Sequence, residues 1–155
     1  MQYTTKVLPF AAALAMAASL MGGGFLLQVE NAASNPQAKA QHAILVIRGN
    51  ACADPEKTTI SATAEGIVNG KRERLALKLS PVTGQSTYAI TRQWPEQGDW
   101  VIAVVASNPK FQWQPSAIVH VRGDSADFTS IRQLSHAPTA MEVEAALHTA
   151  VVASR

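Results

Sequence analysis

The side chains best suited to chemistry in this 155-residue chain are soft metal ligands: the thiol Cys52, the imidazoles His42, His120, His136 and His148, and the thioether Met141. Thiolate, thioether and imidazole donors together suit copper. Their spacing does not help, because no His-x-His, Cys-x-x-Cys or Met-rich cluster sets two of them side by side. A metal site has to be assembled by folding, and the simpler reading is scattered surface histidines plus one small buried thiol. No residue is assigned as a metal ligand, and no cofactor is expected. With a single cysteine no intramolecular disulfide can form, so in an oxidising compartment Cys52 is expected to be buried, paired with another chain or liganded.

Trp94, Phe111 and Trp113 form the second candidate set. Each lies in or beside a Pro-containing loop, and exposed aromatic faces on a β-sandwich can stack on a sugar ring or a peptide. Phe111 and Trp113, two apart, point the same way if the loop is extended. The competing reading is that all three plug the open end of a sandwich. They are the candidate binding residues, for a carbohydrate or protein ligand. If Trp113 is a contact surface, its truncation to Ala costs about 1 kcal/mol or less, because no cavity is left behind.

Other patterns carry less. Arg122-Gly123-Asp124-Ser125 spells an integrin-recognition tetrapeptide, yet Gly-Asp-Ser after a strand is ordinary turn chemistry. Asp124 and Asp127 fall far short of a calcium shell. No Gly-x-Ser-x-Gly elbow or His-Glu-x-x-His pair is present, and Cys52 has no histidine near it in sequence, so no catalytic residue is assigned.

The elements that must position these residues are mostly strands. Residues 43–47 form a short β-branched run closed by Gly49-Asn50, and residues 58–65 alternate polar and small apolar side chains. Asn69-Gly70 then predicts a type I′ hairpin into residues 72–79, with Leu75, Leu77 and Leu79 inward and Arg74 and Lys78 in water. Lys71-Arg72-Glu73-Arg74 reads as its solvated end. Further strands are predicted over 87–92, 100–105 and 117–122; the middle one is apolar on both faces and so central and covered on both sides. Turns about every ten residues between short strands signal a sandwich. After Pro138, Thr139-Ala140-Met141-Glu142 is a capping box, and Val143, Leu147, Ala150 and Val151 fall on one face of a C-terminal helix over about 140–150. That stripe is expected to cover one end of the sandwich.

The first forty residues address the chain. Lys6 precedes an apolar run from Val7 to Val29, and Ala38-Lys39-Ala40 provides a small-residue exit, the three parts of an export signal. The run approaches bilayer-spanning length, so a retained anchor is the rival reading. Pro9 and Gly22-Gly23-Gly24 weaken a continuous helix, which favours cleavage, most simply between Ala40 and Gln41, with an earlier cut near Ser34 as the alternative. No cysteine sits where a lipid anchor needs one. The expected organisation is a signal peptide with a short linker over 1–40, a β-sandwich over 41–137 and the helix over 138–155, in the periplasm or outside the cell. From residue 41 onward the net charge is 11 − 10 = +1, without the strongly basic face that nucleic acid demands.

Gly84-Gln85-Ser86-Thr87-Tyr88-Ala89-Ile90 followed by Trp94-Pro95-Glu96-Gln97-Gly98-Asp99-Trp100-Val101-Ile102 joins a Tyr strand, a Pro-x-x-Gly corner and a Trp-initiated strand. It resembles the closing strands of small bacterial Ig-like or prealbumin-like sandwiches, among them YtkA-like and carboxypeptidase-regulatory-like modules. The resemblance spans roughly 58–121 and implies an all-β, Ig-like or prealbumin-like antiparallel β-sandwich acting as a non-enzymatic binding module. Copper handling is associated with YtkA-like proteins, so the alternative it implies is a periplasmic accessory protein that binds copper. The corner also sets an expectation for the core, in which Tyr88 and Trp100 start neighbouring strands and pack on Leu75, Leu77 and Val119.

Overall fold

The computed structural model describes residues 24–153, so Lys6 and residues 7–23 of the apolar run lie outside the described residues. Two antiparallel sheets face each other. The first contains strands β1 (Phe25–Asn31), β2 (Leu45–Ala51), β5 (Ser80–Pro81) and β6 (Thr87–Ile90) in the order β1-β2-β6-β5. The second contains β3 (Thr59–Val68), β4 (Lys71–Ala76), β7 (Asp99–Ser107), β8 (Ser116–Arg122) and β9 (Ser125–Leu134) in the order β4-β3-β7-β8-β9. With one C-terminal helix, α2 (Ala140–Ala153), this is an all-β sandwich.

Local chemistry accounts for the clearest pieces. Asn69 and Gly70 have φ of +49° and +75°, the two positive angles a type I′ turn requires, and the register Val68↔Lys71 to Thr63↔Ala76 follows from it. β7 pairs with β3 on one side and β8 on the other, the central place its apolar sequence predicts. Its inward residues Trp100, Ile102 and Val104 meet Leu45, Ile47 and Ile90 of the facing sheet, all fully buried. Its outward Val101 is covered with Ile118 by Val143, Ala146 and Leu147 of α2. The helix thus covers the outer face of the larger sheet, not an end of the sandwich, because the outward Val101 and Ile118 of that sheet are what its apolar stripe buries.

Several expectations need correction. The sandwich begins at Phe25, not at residue 41: β1 pairs with β2 along its whole length, and Phe25 and Leu27 are buried in the core. The segment expected to be a linker up to residue 40 instead ends in a short helix, α1 (Pro36–Ala40), which opens on Pro36 and whose cap Asn35 accepts hydrogen bonds from the N–H groups of Gln37 and Ala38 at 3.0 Å. Tyr88 and Trp100 stand in opposite sheets, and Tyr88 is only half-buried. β9 escapes an alternation rule because it is bulged: Ile118 pairs with Arg132 and His120 with Asp127, so residues 128–131 oppose the single Val119.

The Asp127 carboxylate holds that bulge, accepting hydrogen bonds from the Ser130 hydroxyl at 2.6 Å and from the Thr129 hydroxyl and N–H at 2.6 and 2.9 Å. At the start of α2 the capping box is closed, Thr139 N–H donating to Glu142 at 2.9 Å and Glu142 N–H to the Thr139 hydroxyl at 3.3 Å. Hydrogen bonds from Ser130 and Thr129 hold Asp127 down to about 2 from 3.8, and the Thr139 N–H, with the Thr139 hydroxyl and His136, holds Glu142 down to about 2 from 4.5. Both folded-state values lie below the unfolded ones, so their stabilisation is complete above pH ~4.5 and is lost as the pH falls toward ~2. Denaturation midpoints against pH should therefore be level near neutrality and drop across that window. Glu142→Gln, which keeps an acceptor without a charge, should remove part of the drop; an unchanged profile would show that the capping box carries no linkage.

Candidate functional site

One end of the sandwich collects the aromatic residues. Asn108, itself buried, donates from Nδ2 to the carbonyls of Asp54 and Ala53 at 2.9 and 3.3 Å and to the Thr58 hydroxyl at 3.0 Å, which fastens the loop after β7 to the loop before β3. The Phe111 N–H donates to the Asn108 carbonyl at 3.0 Å, and its ring stacks on Phe25 with centroids 5.3 Å apart. Trp113 meets Phe111 edge-on at 5.0 Å, and its indole N–H donates to the Phe25 carbonyl at 3.1 Å. Phe25, Phe111 and Trp113 therefore form one ladder from core to surface. Phe111 is its half-buried middle, while Trp113 remains 44% exposed, and Leu26 on the adjoining strand is 61% exposed.

Trp94 does not belong to this surface. It is 3% exposed, packs in the main core, and donates from its indole N–H to the Gly123 carbonyl at 3.3 Å. The turn between β8 and β9 supplies that acceptor, and a polar partner for the indole is what lets the ring turn inward. Of the three aromatic candidates the structure keeps Trp113 at the surface, uses Phe111 as its support and buries Trp94.

The Trp113 contact also occupies a backbone acceptor on a sheet edge. Because the Gly24 carbonyl accepts from Cys52 N–H, the alternation of an antiparallel ladder turns the Phe25 carbonyl to the open side of β1, where the indole occupies it. The other edges are guarded differently: β4 exposes Lys71, Arg72, Glu73 and Arg74, β5 is two residues long and contains Pro81, and β9 is broken by its bulge. Such devices suppress strand addition at those three edges, whereas on β1 the same alternation also turns the backbone groups of Leu27 and Val29 to the open side. Trp113→Ala should cost ~1–2 kcal/mol, somewhat above the sequence expectation, since a hydrogen bond and an aromatic contact go together. Chemical denaturation of the variant measures it, and a loss of core size would make Trp113 a plug instead of a surface.

A second feature is a groove of about 620 Å³ between α2 and the outer face of the larger sheet, floored by Ser61, Thr63, Ala103 and Val105. At its end the nearly buried Glu65 carboxylate accepts from Arg72 Nη2 and Nε at 2.6 and 3.1 Å, with Arg74 Nε at 3.6 Å. Arg72 also bonds Glu144 of α2, and the Glu65 hydrogen bond raises its affinity for its proton. The hairpin end is thus not merely solvated: its arginines neutralise a carboxylate and tie the helix to the sheet. That cluster was legible from the turn, because a type I′ register about Asn69-Gly70 puts Arg74 opposite Glu65 and Arg72 opposite Ile67.

The remaining candidates stay dispersed. His120, Ser125 and Asp127 share a hollow with Asp99 and Arg122, but among the described residues no hydrogen bond links His120 to Ser125 or Asp127, whose carboxylate is committed to the bulge. In the Arg-Gly-Asp-Ser turn, Arg122 pairs with Asp99 at 2.7 Å, Asp124 with Arg92 at 3.2 Å, and Gly123 adopts φ +53°. Cys52 is exposed, contrary to the buried thiol expected, and His42, His136, His148 and Met141 are exposed elsewhere. Among the described residues no three His, Cys, Asp or Glu side chains gather where a metal ion could be held. No family profile, curated protein or solved structure matches this chain. No helix among the described residues is long and apolar enough to cross a membrane.

Proposed function

We propose that this protein is an exported, non-enzymatic binding module that presents Trp113 to its ligand. The observation that carries the reading is a large aromatic ring held in one orientation, by a hydrogen bond to Phe25 and an edge contact to Phe111, yet left 44% exposed. A ring immobilised before binding loses little further freedom on contact, which is how rigid aromatic anchors contribute affinity. The exposed amides of Gln112 and Gln114 flank it in sequence, so a flat apolar face lies among neutral hydrogen-bonding groups, the combination that suits a sugar ring and its hydroxyls. Lys6 and the apolar run support export, and the resemblance to small exported sandwiches supports a binding role. No observation among the described residues favours the copper alternative.

The molecule carries its own reporter. Trp94 and Trp100 are buried, so tryptophan emission accessible to an aqueous quencher belongs to Trp113. Titration with soluble oligosaccharides should give a saturable change in that emission and protect it from iodide, and Trp113→Ala should abolish both. Emission and quenching unaffected by every oligosaccharide, with binding seen instead for extended peptides, would assign the surface to a protein ligand; no response to either class would remove it as a binding site.

A further inference from the structure

We infer that the chain is processed at the Gly24–Phe25 bond, not after Ala40. The inference rests on the export reading above and comes from where the folded domain begins. Cleavage after Ala40 would discard β1 and α1, and with them Phe25, Leu27, Ala32 and Ala38, all buried. It would also strip β2 of seven paired residues and leave its edge open. A maturation step that removes part of the core is not compatible with the fold it is meant to release.

Placing the boundary at Phe25 also resolves the length of the apolar run. Residues 7–29 are too long for an ordinary signal core, but residues 25–29 belong to β1, and what precedes the glycines is residues 7–21, within the usual range for the apolar part of a signal peptide. Lys6 supplies the positive end. Signal peptidase reads small residues at the first and third positions before the bond it cuts. Between Leu20 and Phe25, cuts after Leu20 or Met21 put a large residue next to the bond, and cuts after Gly22 or Gly23 put Leu20 or Met21 at the third position. Only the bond after Gly24 has small residues, Gly22 and Gly24, at both.

The step is a hydrolysis: water adds its oxygen to the Gly24 carbonyl carbon as the C–N bond breaks, and the Phe25 nitrogen leaves as a protonated amine. The folded domain tolerates that amine. In the alternation set by the Gly24 to Cys52 hydrogen bond, the Phe25 N–H points to the open side of β1, so no ladder bond depends on it. Among the described residues, the backbone hydrogen bond surrendered is the 3.2 Å bond from Cys52 N–H to the Gly24 carbonyl.

The test is the intact mass of the exported protein, expressed as the full chain in a bacterium with a periplasm, beside Gly24→Leu and Ala40→Leu. Phe25 should be the first residue of the parent and of Ala40→Leu, whereas Gly24→Leu should lose the processed form and accumulate precursor in the membrane fraction. A parent beginning at Gln41, or at any residue other than Phe25, overturns the inference, as does processing blocked by Ala40→Leu. An intact chain in the membrane overturns it while leaving export standing as an anchor; an intact chain in the cytoplasm removes the export reading with it.

Discussion

Trp100→Ala is expected to bring this domain close to unfolding, with a loss of ~3–5 kcal/mol, typical of deleting a large buried aromatic ring, against a total of ~5–15 kcal/mol for an ordinary domain. The ring is fully buried between the sheets, and its indole N–H donates to the Gln97 carbonyl at 3.0 Å, which fixes the corner before β7. Beneath it lies Gly66 on the paired strand, where a Cβ would stand 2.3 Å from Trp100 Cδ2 and 2.5 Å from Cε3. Gly66→Ala should therefore cost ~1–3 kcal/mol by overpacking. The decisive measurement is a cycle with Trp100→Leu: the methyl group at 66 should cost much less once the ring is gone. An equal cost in both backgrounds would mean that something other than the indole face excludes the side chain.

The second large effect concerns the boundary of the fold. A chain of residues 25–155 should unfold cooperatively, whereas a chain of residues 41–155 should show no cooperative transition. Removing Phe25 and Leu27 from the core costs ~2–5 kcal/mol for each large side chain, before the lost ladder bonds are counted, and together this is comparable with the whole stability. Thermal melts followed by near-ultraviolet circular dichroism separate the two cases, since aromatic packing is the first signal to vanish. If the shorter chain melted within a few degrees of the longer one, β1 would be an ornament on the sheet and the domain would begin at β2.

What could be read before folding was what depends on near neighbours. Asn69-Gly70 dictated a hairpin because two consecutive positive φ angles are a local demand, and with the turn came the register that brings Arg74 to Glu65. Thr139 and Glu142 likewise capped α2 through bonds three residues apart. The central strand was legible because burial on both faces requires apolar residues on both, whatever covers them.

Tertiary structure decided everything that hangs on distant partners. An apolar stretch such as residues 25–29 satisfies a signal core and a buried strand equally well, and pairing with residues 47–51 is what makes it β1. Trp94 and Trp113 looked alike as loop tryptophans; one turned inward because the Gly123 carbonyl, 29 residues away, could accept its N–H, and the other stayed at the surface because its acceptor, the Phe25 carbonyl 88 residues away, lies on an open sheet edge. Composition and spacing determined that this chain makes strands, turns and a capped helix and left its candidate surface as three aromatic residues. Which ring meets solvent follows from where each indole finds its hydrogen-bond acceptor, and only the packed sandwich sets those positions.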